Sequence, residues 1–208
     1  TVKFTSETNG LIWEHYTDDW VHNFEYNENE PRHQFRPPGY QPGHHVEWAK
    51  FLALLDRYGD EVNTDTTSDE YTPEDGWYSR ALELFEAAVE NGWTGNGFVY
   101  THKSDGAPIV ADQYGWALAE ALGASAALSE RAAAYDDDAA DSLEKWNHRF
   151  LTYTDCYRGP AGLWYEKSRP TDDNNRLVAP DPPGVEPDYH PVSDFYECWR
   201  SIEEPTDR

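Results

Sequence analysis

Residues 35–55 read FRPPGYQPGHHVEWAKFLALL. The first eight carry Pro37, Pro38, Pro42 and Gly39, a composition that shapes a stiff loop and cannot continue a helix. From residue 43 the pattern changes. Val46, Trp48, Phe51, Leu52, Leu54 and Leu55 recur with the spacing of a broad apolar stripe, which predicts a helix over 43–58, with Gly59 as its stop. A rigid loop that ends at a helix start presents the first-turn side chains to whatever lies in front. On that turn His44 and Glu47 are three residues apart and share a face with Trp48 beside them, while His45 is rotated away by about 100°. A histidine with a carboxylate one turn away reads as a general base, because the carboxylate orients the imidazole and stabilises its charged form. The bland reading is a helix-capping histidine beside a solvated acid. Zinc is disfavoured, since there is no His-Glu-x-x-His motif and no Cys/His cluster.

Working outward, apolar periodicity predicts further helices over 74–92, 110–134, 136–151 and about 191–202. The second carries Trp77, Ala81, Leu82, Leu84, Phe85, Ala88 and Val89; the third is alanine-rich. Between them, FVYT at 98–101, a Ser-Asp-Gly turn at 104–106 and Pro108-Ile109-Val110 predict a hairpin. Residues 162–166 read as one arm of another, and 170–188, rich in Pro, Asp and Asn, as a loop. No linker divides the chain, so 1–208 is taken as part of one predominantly α domain. Two more segments hold candidate chemistry. Pro187-Asp188-Tyr189-His190 is a second polar loop feeding a helix start. In Trp116-Ala117-Leu118-Ala119-Glu120-Ala121 a lone acid stands among small apolar residues, either solvated or buried against a partner.

Composition narrows the partners. Sixteen basic residues against 40 acidic ones give a net charge of −24, which excludes phosphate-neutralising nucleic-acid binding and disfavours anionic membranes. Five of the basic residues are lysines and the rest arginines, a surface expected of a protein adapted to a salty cytoplasm. Nine Trp, 14 Tyr and 8 Phe exclude a disordered acidic tail. Cys156 and Cys198 fit no metal or redox motif and read as reduced cytoplasmic thiols. No apolar run approaches a membrane span and no signal peptide is visible, while a start at Thr1 rather than Met leaves a processed or truncated start open.

Taken in order, residues 35–55, Glu90-Asn91-Gly92-Trp93, Gly97-Phe98-Val99-Tyr100-Thr101, residues 116–121, Gly162-Leu163-Trp164-Tyr165 and Pro187-Asp188-Tyr189-His190 resemble the N-acylglucosamine 2-epimerase superfamily. The similarity is closest to its aldose–ketose isomerase branch of mannose and sulfoquinovose isomerases. The resemblance implies an all-α, (α/α)6-barrel fold of which this chain is about the C-terminal half, with short β-hairpins in the loops. It implies metal-independent, cofactor-free isomerisation of a free sugar through a cis-enediolate, with His44 and His190 as acid and base. By the same matching, Glu47 is the carboxylate beside the first histidine and Glu120 a substrate-binding acid. Arg36 would line the pocket and Trp48 and Trp116 would shape its wall. Sugar 2-epimerisation is the sister expectation; a non-catalytic, sugar-binding half-barrel is the expectation from another class. The chain departs from the pattern in length, so the missing N-terminal half or a homo-oligomer is expected to complete the barrel. It also departs at Val185-Glu186, where relatives often have Gly-Lys.

Overall fold

The computed structural model describes residues 5–59, 76–170, 177–178, 185–186 and 188–203. Its frame is five helices: α1 Pro42–Gly59, α2 Gly76–Gly92, α3 Gly115–Ala134, α4 Ala139–Tyr153 and α5 Tyr189–Glu203. α1, α3 and α5 lie side by side as one layer with α3 in the middle; α2 packs behind α1, and α4 behind α3. This is the helical layering expected of part of an α/α barrel, and the start of α2 expected at residues 74–75 lies outside the described residues.

The sequence of α3 explains its central place. A helix flanked on three sides must be apolar nearly all round, and from Ala117 to Leu128 every side chain of α3 is buried. Alanine dominates, so its neighbours approach closely. Two glycines make the approach possible where it is tightest. A Cβ on Gly123 would overlap Asp194 Oδ1 of α5, and one on Gly43 would overlap the ring of Trp116. Leu118, Leu122 and Leu128 are fully buried among Leu52, Leu84, Phe85 and Phe150, each Leu contributing about 2 kcal/mol of transfer free energy.

Two rungs of buried ions cross the three-helix layer. Lys50 of α1 reaches Glu120 of α3 and Asp194 of α5. Two turns further along α1, Arg57 Nη2 lies 2.5 Å from Glu130 of α3 and 2.8 Å from Glu197 of α5, with Arg200 joining at 2.6 Å from Glu130.

The third helix begins later than its alanine-rich pattern suggests. Residues 110–114 belong to strand β2, Pro108–Tyr114, which pairs antiparallel with β1, Val99–His102. Ile109, Val110 and Tyr114 suit a pleated surface better than a helix, and Gly115 marks the change of direction. α4 also starts at Ala139 rather than 136, because Asp136 adopts φ +56° and the Asp137 carboxylate accepts the Ala139 N–H at 2.9 Å. α5 starts earlier, at Tyr189, where Asp188 Oδ1 accepts the His190 N–H at 3.1 Å, a capping use of an aspartate.

The first expected hairpin grows into a larger sheet, and the arm expected at 162–166 pairs in a second one. β4, Lys167–Pro170, pairs with β2, and β5, Leu177–Val178, extends the sheet to the order β1-β2-β4-β5. β3, Trp164–Tyr165, pairs with β6, Val185–Glu186. Most of the loop expected over 170–188 lies outside the described residues. A bridge between Tyr40 and His102 ties the loop before α1 to β1, so the sheet stands beside the N-terminal ends of α1, α3 and α5. Among the described residues no helix is long and apolar enough to cross a membrane.

Candidate active site

Those three helix starts and the sheet enclose a cavity of about 350 Å³, lined among others by Gln41, His44, Glu47, Trp116, Glu166 and His190. It falls in the size range of small-molecule pockets. Trp116, on the first turn of α3, stands between the two histidines, with ring centroids 5.1 Å from His44 and 5.4 Å from His190. The absence of a side chain on Gly43 is what lets the indole lie there.

Each histidine has its own carboxylate. His190 Nδ1 is 2.5 Å from Glu120 Oε1, and Glu120 is completely buried. His44 Nδ1 is bonded to Glu14 Oε1, and Gln41 Nε2 donates to Glu14 Oε2 at 2.6 Å. A carboxylate on Nδ1 fixes the tautomer and leaves Nε2 as the nitrogen available to a ligand. Burial alone would depress the proton affinity of both rings, but the bonds to Glu14 and Glu120 and the surrounding carboxylates outweigh it, so both pKa values are raised. Glu120 goes the other way: burial favours its neutral form, yet His190 and Lys50 together lower its pKa. The pKa of Glu47 is raised, by burial first and by the negative charge of Glu120 second.

Behind Glu120 the chain of charges continues. Lys50 Nζ is 2.5 Å from Glu120 Oε2 and 2.5 Å from Asp194 Oδ1. Burial and Glu120 push Asp194 up to about 7 against the pull of Lys50. Glu47, Glu120 and His190 each bring one ligand-type atom within 4.8 Å of the others. Glu120, however, engages His190 with one oxygen and Lys50 with the other, so the cluster already contains its own cation. That arrangement suits proton transfer rather than a metal ion.

The residues expected from the sequence thus divide. His44, Glu47, Trp116 and His190 line one cavity, and Glu120 lies directly behind His190. Glu47 shares the face of His44 but is not bonded to it through Nδ1; Glu14 takes that place. Arg36 and Trp48 do not line the cavity. Arg36 is exposed, its backbone held by Asn27 and His33. Trp48 is 39% exposed and packs edge-on against Phe51 on the outer stripe of α1. His45, rotated away as its position implies, is 1% exposed and wholly structural: its Nδ1 bonds the Gln41 carbonyl at 2.7 Å, and its Nε2 accepts the Ile12 N–H at 2.9 Å. Sequence reasoning missed Glu14, Lys50 and Asp194. Glu14 sits in a segment with no regular periodicity. Lys50, a charge inside an apolar helical run, and Asp194, one turn after His190, were visible as anomalies of position.

Comparison with known proteins follows the same lines. A 32% identity over 199 residues links the chain to a D-mannose isomerase of Marinomonas mediterranea, covering 92% of this chain and 44% of that protein. A D-mannose isomerase of Thermobifida fusca is 32% identical over 197 residues, covering 92% and 42%. A crystal structure of D-mannose isomerase superposes with TM-score 0.74 at 29% identity, over 96% of this chain and 47% of that one. The cellobiose 2-epimerase of Spirochaeta thermophila shares the fold, with TM-score 0.50 at 20% identity over 77% and 39%. The chain spans under half the length of the relatives it matches. The N-acylglucosamine 2-epimerase family profile aligns with residues 1–193, nearly the whole chain, and the chain belongs to that family.

Proposed function

We propose that this chain carries the two-histidine part of the active site of a sugar aldose–ketose isomerase, of the kind that converts mannose to fructose without a metal. The observation that carries the reading is the pair His44 and His190, each held through Nδ1 by a carboxylate, on either side of Trp116 in one cavity. In the open-chain aldose, Nε2 of one neutral imidazole removes the proton from C2. The C–H electrons form the C1=C2 bond as the carbonyl electrons move to O1, giving a cis-enediolate. The proton then returns to C1 while the O2 proton passes to O1. The other imidazole, protonated, donates to the oxygens where negative charge develops. Arg36 does not line the cavity, so this imidazolium is the positive charge assigned to those oxygens here. Trp116 offers a flat wall for the sugar's C–H face.

In this reading a further helical layer, from the same polypeptide or from a partner, covers the exposed stripes of α1 and α5 and closes the cavity. The short span relative to the relatives supports it. The net charge of −24 supports a salt-rich cytoplasm as the setting. The test is to incubate the full-length protein with mannose in deuterated water and follow fructose and C2 deuterium by NMR. Conversion with exchange is expected, and His190→Ala should abolish both with the fold retained. Absence of both from the wild type rejects the reading. The family match also favours 2-epimerisation, which returns the proton to the opposite face of C2; glucose rather than fructose as product would identify it.

A further inference from the structure

The Lys50–Asp194 pair lies behind the cavity wall. Neither residue lines the cavity. Both are nevertheless linked to the histidine side of the site through Glu120. Lys50 Nζ bridges Glu120 Oε2 and Asp194 Oδ1 at 2.5 Å each, while the other oxygen of Glu120 holds His190 Nδ1 at 2.5 Å. The side chains of Glu120 and Asp194 are fully buried and that of Lys50 nearly so. The closeness is built into the backbone, since only a residue without Cβ at position 123 admits Asp194 against α3.

We propose that Lys50 and Asp194 are positioning residues that act through Glu120 to set the orientation and proton affinity of His190. The inference rests on the reading of His190 as a proton-transfer group. A lone buried carboxylate on Nδ1 would hold the imidazolium too firmly for it to give up its proton near neutrality. The ammonium of Lys50 on the second oxygen draws part of that charge away and weakens the grip on His190. Asp194 offsets part of the ammonium and restores it. The two residues therefore adjust His190 in opposite directions.

The other charged groups facing His190 and Glu120 are His44 and Glu47 of α1, Asp188 at the start of α5 and Glu166 from the sheet side of the cavity. They are unchanged in variants of the pair. A merely structural ion pair, like that of Arg57 with Glu130 and Glu197, would affect stability on removal without imposing opposite signs on one histidine.

The experiment uses the full-length protein and follows His190 by nitrogen-15 NMR of its imidazole across pH, alongside the pH dependence of kcat/KM. Lys50→Met should raise the His190 pKa by about one pH unit, and the double variant with Asp194→Asn should raise it by less. Asp194→Asn alone, which keeps an oxygen for Lys50 to bond, should lower it. The acid limb of kcat/KM should move with it in each case. Shifts of the same sign in Lys50→Met and Asp194→Asn, or no shift in folded variants, overturn the proposal. Should Lys50→Met fail to fold, Asp194→Asn decides alone, and an unchanged or raised His190 pKa rejects the idea. A wild type without isomerase activity rejects the isomerase reading, whereas the NMR titration still decides the coupling.

Discussion

Adjacent histidines 44 and 45 show how one helix turn separates chemistry from architecture. The His45 ring is neutral and fully used, donating to Gln41 and accepting from Ile12, and burial pushes its pKa down to about 4. Protonation would turn Nε2 from an acceptor into a donor facing an N–H. Because the folded pKa lies below the ordinary value of about 6.5, the stabilisation is complete above pH 6.5. It is lost as pH falls toward 4, by up to about 3 kcal/mol. His44 and His190, whose pKa values are raised, act in the opposite sense: their contribution is present below pH 6.5 and lost as pH rises. The informative quantity is therefore the difference between wild type and His45→Gln. Thermal melts should show the wild type losing more stability than the variant between pH 7 and 5. At His44, Glu14→Gln keeps a hydrogen-bond acceptor but removes the charge that favours the imidazolium. In the proposed isomerase kcat should fall about 10- to 100-fold with KM little changed, measured by steady-state kinetics. The raised pKa values also place the acid limb of kcat/KM above pH 6.5, and Glu120→Gln should move what activity remains to a lower limb.

Helix α3 depends on small residues for its position. Gly123→Ala gains helix propensity of about 1 kcal/mol but sets a methyl against the buried carboxylate of Asp194. Overpacking of this kind costs about 1–3 kcal/mol, so the variant should be less stable in urea titrations, with α5 displaced. How far this was legible in the sequence differs from element to element. The helical stripe after Gly43 and the alanine run of α3 announced their elements, because burial on one face or on all faces leaves a periodic trace. Residues 110–114 did not, since a short apolar run reads equally as helix or strand and only pairing with β1 and β4 decides it. The site was legible where its groups sit at helix starts, as His44, Trp116 and His190 do. Glu14 was hidden because its partner is 30 positions away in the chain and nothing local reports that contact. The exposed setting of Arg36 was hidden for the same reason: loop direction is set by tertiary contacts such as Tyr40 with His102.

At the scale of the molecule, two exposed apolar stripes stand on the flanks of the layer. Trp48, Phe51, Leu55 and Tyr58 run along α1, and Val192, Phe195, Tyr196, Trp199 and Ile202 along α5. Contiguous surfaces of this kind seek cover, while a net charge of −24 keeps like chains apart. Salt screens the repulsion over about 10 Å at 0.1 M and about 3 Å at 1 M. The 208-residue chain alone should therefore sediment as larger species in 1 M than in 0.1 M NaCl, and Leu55→Glu with Trp199→Glu should suppress the change. The two ionic rungs across the layer have a mechanical consequence. Sliding α5 along α3 by one turn, about 5.4 Å, would pull Asp194 from Lys50 and Glu197 from Arg57 in one movement, and would carry His190 off Glu120. Intermediate positions satisfy neither rung. The layer behaves as a jaw with a single notch, and the gap between its two imidazoles is gauged by ion pairs that face away from the cavity.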